Sequence, residues 1–342
     1  MKPEFLRSLK GYSAKSFLQD ISAGVIVGIV ALPLAIAFGI ASGVSPAQGI
    51  FTAIVAGFII SVFGGSKVQI GGPTGAFVVI VYGIMQQYGY SGLVIATMMA
   101  GVLILLLGAF KLGGLIKFIP YTIITGFTAG IAVVIFTSQI GDFLGLKTGK
   151  VPGDFIGKLG AYGSVIGTFN PWAFGIALAC LIVIFVWPRV SRKIPGSLVV
   201  IILATVAVQV FSIPVDTIGS RYGSIPTTLP APALPAFSFE LVQKMFGPAV
   251  SIAILASIES LLSAVVADGM IGAKHDSNME LVAQGLANLV CPLFGGIPAT
   301  GAIARTATNV KNGGRSPVAG IVHAITLLLI LLFLGRFVVY IP

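Results

Sequence analysis

Apolar residues in this chain gather into long runs, separated by short polar, glycine or proline stretches. A helical membrane crossing takes about 20 mostly apolar residues. Eleven segments have that character, near 21–41, 47–63, 70–88, 91–110, 119–141, 171–188, 196–213, 246–266, 281–295, 299–310 and 317–335. The third is irregular and the tenth is short. Ahead of them, residues 3–12 predict a short interfacial helix that turns Phe5, Leu6 and Leu9 toward lipid. Between the seventh and eighth, residues 214–244 carry Pro226, Pro230, Pro232 and Pro235, which predict an extended linker.

Composition narrows the class. Of 342 residues, 56% are hydrophobic and 9% charged, and mean hydropathy is +1.06. Soluble domains carry about 25% charged residues. So apolar a chain lacks the polar surface of a cytosolic enzyme, a nucleic-acid binder or a secreted scaffold. The expectation is an all-α polytopic membrane protein without nucleic-acid partners, embedded in a lipid bilayer. Its 44 glycines suit helices that approach closely or break. Cys180 and Cys291 lie in separate apolar runs and predict neither a metal motif nor a disulfide. The first apolar run is too long for a cleavable signal peptide.

Charge sets an orientation. The formal net charge is +10, from 20 Lys and Arg against 10 Asp and Glu. With odd-numbered segments running outward from a cytoplasmic N-terminus, 13 basic residues fall inside: Lys2, Arg7, Lys10, Lys15, Lys67, Lys111, Lys117, Arg189, Arg192, Lys193, Lys274, Lys311 and Arg315. Six fall outside, namely Lys147, Lys150, Lys158, Arg221, Lys244 and Arg336, with Arg305 at membrane depth. Basic residues collect on the cytoplasmic side, so this orientation is the favoured one. The expected location is the plasma (inner) membrane of a bacterium.

Two stretches resemble each other. Residues 71–76 read Gly-Gly-Pro-Thr-Gly-Ala and residues 295–302 read Gly-Gly-Ile-Pro-Ala-Thr-Gly-Ala. Aligning the Thr-Gly-Ala triplets gives an offset of 226 residues, which also lays Ala41-Ser42-Gly43 on Ala267-Asp268-Gly269. An offset of 222 relates Phe118-Ile119-Pro120 to Tyr340-Ile341-Pro342. Seven segments precede the second copy, and an odd number makes the copies opposite in the membrane. That is the inverted-repeat plan of many secondary transporters. The second copy stops after its fourth segment, so the chain is expected to be truncated before its last three spans.

Glycine and proline disfavour a continuous helix at both places. The simplest reading is a short extended stretch followed by a half-helix, beginning near Thr74 and near Thr300; a packing kink at Pro73 and Pro298 is the alternative. A helix start leaves unpaired N–H groups and about half a positive charge. Two starts brought together at the midplane would suit an anion, with hydroxyl donors from Thr74 and Thr300. Arg305 could add full positive charge, or it could be a cytoplasmic anchor beside Lys311 and Arg315. Glu259 is the other charge at membrane depth, with Ser263 one turn on. It could exchange a coupling proton, help Ser263 hold sodium, or serve as a structural partner. Its repeat equivalent is Pro33, so the charge is no relic of duplication. Asp268, His275 and Asp276 read as solvated loop residues, and His323 as a hydrogen-bonded core histidine. No Walker A, His-Glu-x-x-His or Gly-x-Ser-x-Gly motif is present, and neither an enzyme nor a cofactor is expected.

Asp20-Ile-Ser-Ala-Gly24, Ala31-Leu-Pro-Leu-Ala35, Gly72-Pro-Thr74, residues 295–306 and Gly313-Gly-Arg-Ser-Pro317 together resemble the SulP family. That family includes sulfate permeases, a cyanobacterial bicarbonate transporter, pendrin and prestin. The resemblance implies a fold of seven plus seven inverted spans like that of uracil permease, here with about 11 of the 14. It also implies a core domain sliding against a gate domain, and a homodimer when full length. A cytoplasmic STAS domain, common in the family, is expected to be absent here. The implied organisation is a cytoplasmic segment 1–18, core 19–114, gate 115–213, a loop 214–244 and core 245–342. By position, the anion site implied comprises Phe38, Thr74, the amides around Gly75 and Ala76, Thr300, the amides around Gly301 and Ala302, and Arg305. Leu34 stands where many members have glutamine. Glu259 and Ser263 stand where the bicarbonate member has sodium ligands, and Ile303 replaces a threonine there, which favours protons. The expected function is secondary transport of small anions, sulfate by default. Bicarbonate or a dicarboxylate, an anion channel or exchanger, and a non-functional fragment are the alternatives.

Overall fold

The computed structural model of the chain describes residues 2–114, 121–149, 151–152, 155–191, 196–235 and 237–342. Lys117, Lys150, Arg192 and Lys193 of the charge count, and the Phe118–Pro120 match, lie outside the described residues. The elements are α1 (Glu4–Ser8), α2 (Ala14–Ala41), α3 (Pro46–Phe63), β1 (Gly71–Gly72), α4 (Val78–Ala109), α5 (Tyr121–Phe143), α6 (Phe155–Ser164) and α7 (Pro171–Val190). Then come α8 (Gly196–Val210), α9 (Ile218–Tyr222), α10 (Phe239–Ile271), α11 (Ser277–Val290), β2 (Thr300–Gly301), α12 (Ile303–Lys311), α13 (Pro317–Leu329) and α14 (Gly335–Val338). Among the described residues, six helical stretches are long and apolar enough to cross a membrane: α2, α3, residues 75–109, α7, α10 and residues 317–338.

Local chemistry sets many of these ends. Ser45 caps α3 with Gln48 in a capping box, and Pro46 occupies the first turn. Asn170 and Pro171 start α7, and Ser316 and Pro317 start α13, in the same way. The third and fourth expected segments merge into α4, which is hinged at Gly89 (φ 63°), a left-handed geometry that favours glycine. The 214–244 linker is not wholly extended. Thr217 and Ser220 form a capping box that nucleates α9. The following helix, α10, starts at Phe239 rather than near 246, extended outward by a polar first turn in which Glu240 and Lys244 pair at 2.6 Å. In α1, Leu6 and Leu9 are exposed, Phe5 is half-buried, and the Glu4 amide bonds the Gly64 carbonyl at 2.9 Å.

The chain divides into two compact units. The first comprises Met1–Ile124 and Thr228–Leu331. Its core includes Phe77, Leu93, Ile95, Ile104, Met245 and Ile252. Helices α4 and α11 pack closely because Gly101 and Gly285 face one another: a Cβ on Gly285 would stand 2.5 Å from the Leu105 amide nitrogen and 2.7 Å from the Gly101 carbonyl oxygen. Gly285→Ala is therefore expected to cost about 1–3 kcal/mol through overpacking, read as a lower midpoint in thermal unfolding. The second unit comprises Thr125–Thr227 and Leu332–Pro342. Within it, α7 packs against α8, Asn170 donates to the Pro214 carbonyl at 2.9 Å, and Arg221 pairs with Asp142 at 2.6 Å. The amides of Ile218 and Gly219 bond the carbonyls of Ile341 and Val339, each at 2.8 Å.

Candidate functional site

The site is built in the first unit where β1 meets β2. The two short strands pair antiparallel, with Gly71 opposite Gly301 and Gly72 opposite Thr300. Each strand runs into a helix, and antiparallel pairing sends those helices away in opposite directions. Both helix N-termini therefore face the strand pair. On one side Thr74 precedes a single 3-10 turn, Gly75–Phe77, that leads into α4. On the other, Ala302 precedes α12, whose nine residues make it a half-helix. Neither Thr74 nor Ala302 caps its helix with a side chain. First-turn amides lack partners within the helix and carry positive potential.

The second half-helix starts at Ile303, three residues past Thr300. Thr300 lies in β2, and its hydroxyl donates to the Ala256 carbonyl of α10 at 2.9 Å. The Ala302 amide donates to the Ile70 carbonyl at 2.8 Å, because the extended stretch continues one residue beyond the strand. The Thr300 hydroxyl and the Ala302 amide, two of the expected donors, are thus already bonded within the protein, and the first turn of α12 begins beyond them at Ile303. Thr74 differs: its hydroxyl donates to Glu259 Oε2 at 2.9 Å, a side chain on α10 that is only half-buried. Thr74→Val is expected to weaken anion binding about tenfold or more, the worth of one hydrogen bond to an ion. Thr300→Val is expected to lower thermal stability and leave affinity within twofold. Titrating both purified variants with anion and melting them separates the two outcomes.

Arg305 is 2% exposed. Its Nη2 donates to the Pro73 carbonyl, while Nη1 has no hydrogen-bond partner among the described residues. The guanidinium therefore reaches from the first turn of α12 across to the residue before Thr74. That is a bridge between the two helix starts rather than a cytoplasmic anchor. Gly72 (φ 148°) makes room for it, since a Cβ there would collide with Nη1 at 2.5 Å. Thr306, next on α12, accepts from the Ile70 amide at 3.0 Å, and the Ser263 hydroxyl lies 3.4 Å from Thr306 Oγ1. Ser263 is thus paired with α12, and Glu259 with Thr74. Phe38 sits half-buried in the last turn of α2.

One other expectation changes. His323 is fully buried, as expected of a core histidine. Asp268, His275 and Asp276 are not merely solvated. Asp268 takes His275 Nδ1 at 2.7 Å, Ser277 lies 2.9 Å from Nε2, and Asp276 caps α11 through the amides of Asn278 and Met279. Sequence reasoning missed Glu280 and Gln69, and did not foresee the burial of Asp20, quoted there only within a family motif; all three are buried and heavily bonded. The only available signal was an acidic or amide residue at the edge of an apolar segment.

The sequence signature of the Sulfate permease family matches residues 17–342. The chain belongs to that family. It is 51% identical over 339 residues to the candidate sulfate transporter YvdB of Bacillus subtilis, covering 99% of this chain and 64% of that protein. It is 36% identical over 334 residues to the bicarbonate transporter BicA of Picosynechococcus, covering 94% of this chain and 58% of that protein. The solved transmembrane domain of a cyanobacterial BicA superposes with a TM-score of 0.87 at 32% identity, covering 97% of this chain and 86% of that one. Members of the family with these names are transporters, not enzymes, and the helices described above make this chain a multi-pass membrane protein.

Proposed function

We propose that this chain forms the membrane body of a secondary active transporter of small anions, with sulfate as the default substrate. One observation carries the reading: β1 and β2 turn two helix starts toward one place and Arg305 bridges them, with Nη1 left free to donate. An anion seated there would receive first-turn amides from both helices, the Thr74 hydroxyl and the guanidinium. The resemblance to YvdB supports sulfate. The likeness to BicA in sequence and shape supports bicarbonate as the second reading.

In this proposal the first unit is the moving core and the second the gate, within a fold of inverted repeats whose N-terminus is cytoplasmic. Transport is elevator-like, and Glu259 couples it to a proton. The test is uptake of labelled sulfate into proteoliposomes, with bicarbonate and succinate as competitors and with imposed proton or sodium gradients. Saturable uptake, acceleration by unlabelled anion on the far side and stimulation by an acidic exterior are expected. Non-saturating flux without countertransport would instead make the protein a channel.

A further inference from the structure

Glu280 lies on α11, outside the anion site, and is fully buried. Its Oε2 accepts from the amides of Gly65 at 3.0 Å and Ser66 at 3.2 Å. Its Oε1 accepts from Gln69 Nε2 at 2.8 Å, Gln284 Nε2 at 2.9 Å and the Ser260 hydroxyl at 3.4 Å. Every partner donates, which suits a carboxylate, an acceptor only. Burying a carboxyl is costly unless such bonds compensate it. Capping does not account for it, because Asp276 already caps α11.

Gln284 is on α11 itself; the other donors come from two places that border the anion site. Gly65, Ser66 and Gln69 lie in the connection that runs into β1. Gln69 is followed by Ile70, whose amide is held by Thr306 and whose carbonyl takes the Ala302 amide. The Gln69 side chain also lies directly against Gly301 of β2, where a Cβ would collide with it. Ser260 follows Glu259 on α10 and accepts from Gln69 at 3.0 Å. Glu280 thus grips the entry to one strand, the side chain packed on the other and the helix that carries Glu259.

We propose that Glu280 is a positioning residue for anion binding. It fixes the 65–70 connection and the Gln69 amide, and so sets where β1 holds the first helix start against Gly301 and Arg305. It touches no substrate. This inference rests on the anion-binding reading given above.

The test uses the purified full chain, titrated with sulfate, bicarbonate and succinate, with thermal melts and hydrogen–deuterium exchange alongside. Glu280→Gln keeps the size but places an amide donor among five donors. Its affinity for whichever anion the wild type binds is expected to fall at least about tenfold, the size of effect seen when a metal site loses an outer-shell partner that orients its ligands. Exchange of the Gly65–Gly72 amides is expected to rise, with helix content unchanged. Asp20→Asn is the structural control. Asp20 is equally buried and is held by Tyr12, Ser316 and the amides of Arg315 and Ser316. That variant should lower the melting temperature yet keep wild-type affinity at a common temperature. If Glu280→Gln does not fold, Gln69→Leu, which breaks the link alone, should show the same loss of affinity. Wild-type affinity in Glu280→Gln or Gln69→Leu, or an equal loss in Asp20→Asn, overturns the proposal. A wild-type chain that binds none of the three anions overturns the anion reading itself, and this inference falls with it.

Discussion

Arg305→Met is expected to abolish saturable anion uptake while the protein stays folded. Two effects separate in this variant. The guanidinium offers an anion a full charge and an unpaired donor at Nη1, and hydrogen bonds to charged groups are worth about 1.5–3 kcal/mol each. Losing the bond and the charge together should weaken binding by about 100-fold or more. Stability should respond differently. Replacing a buried ion by an apolar side chain of similar length is often neutral, because the desolvation cost disappears with the charge. The variant forfeits the bond to the Pro73 carbonyl, so a modest drop in melting temperature is expected rather than collapse. Binding titrations and melts on the same preparation check this. Near-wild-type affinity in Arg305→Met would remove Arg305 from the site.

Glu259→Gln should remove the dependence of uptake on a proton gradient while leaving downhill exchange. The carboxylate accepts the Thr74 hydroxyl, so it competes with an incoming anion for that donor and places negative charge beside the site. Protonation removes that charge, and anion and proton then load together. The sign follows: an acidic exterior should accelerate uptake by the wild type, and a Gln at 259, permanently neutral, should show the same rate in either gradient. Persistent stimulation by acid in Glu259→Gln would move the coupling elsewhere. Stimulation of the wild type by sodium instead of acid would favour the sodium reading at Glu259 and Ser263.

Much of this architecture could be read from sequence because its signals are local. Ser45-Pro46, Asn170-Pro171 and Ser316-Pro317 announce helix starts, and Gly71-Gly72-Pro73 announces a break. The Gly-Pro breaks pointed to Thr74, and a charge at membrane depth to Arg305, as candidate anion-site residues. What was not legible depends on partners distant in the chain. The second half-helix begins three residues past Thr300 because the Ala302 amide is drawn to Ile70, more than 200 residues earlier. Thr300 spends its hydroxyl on Ala256 for a similar reason. Glu280 stands at the edge of an apolar segment, and no local signal marks it as buried. Its burial follows from donors at Gly65, Ser66 and Gln69 that no local pattern connects to it.

The measurement that bears most directly on the central claim is a structure of the protein with selenate, a sulfate mimic whose selenium can be located by anomalous scattering. A selenium peak is expected between the two helix starts, with its oxygens in hydrogen-bond reach of Arg305 Nη1, Thr74 and the first-turn amides of Gly75 and Ile303. At saturating selenate, a peak elsewhere in the protein, or none, would contradict it.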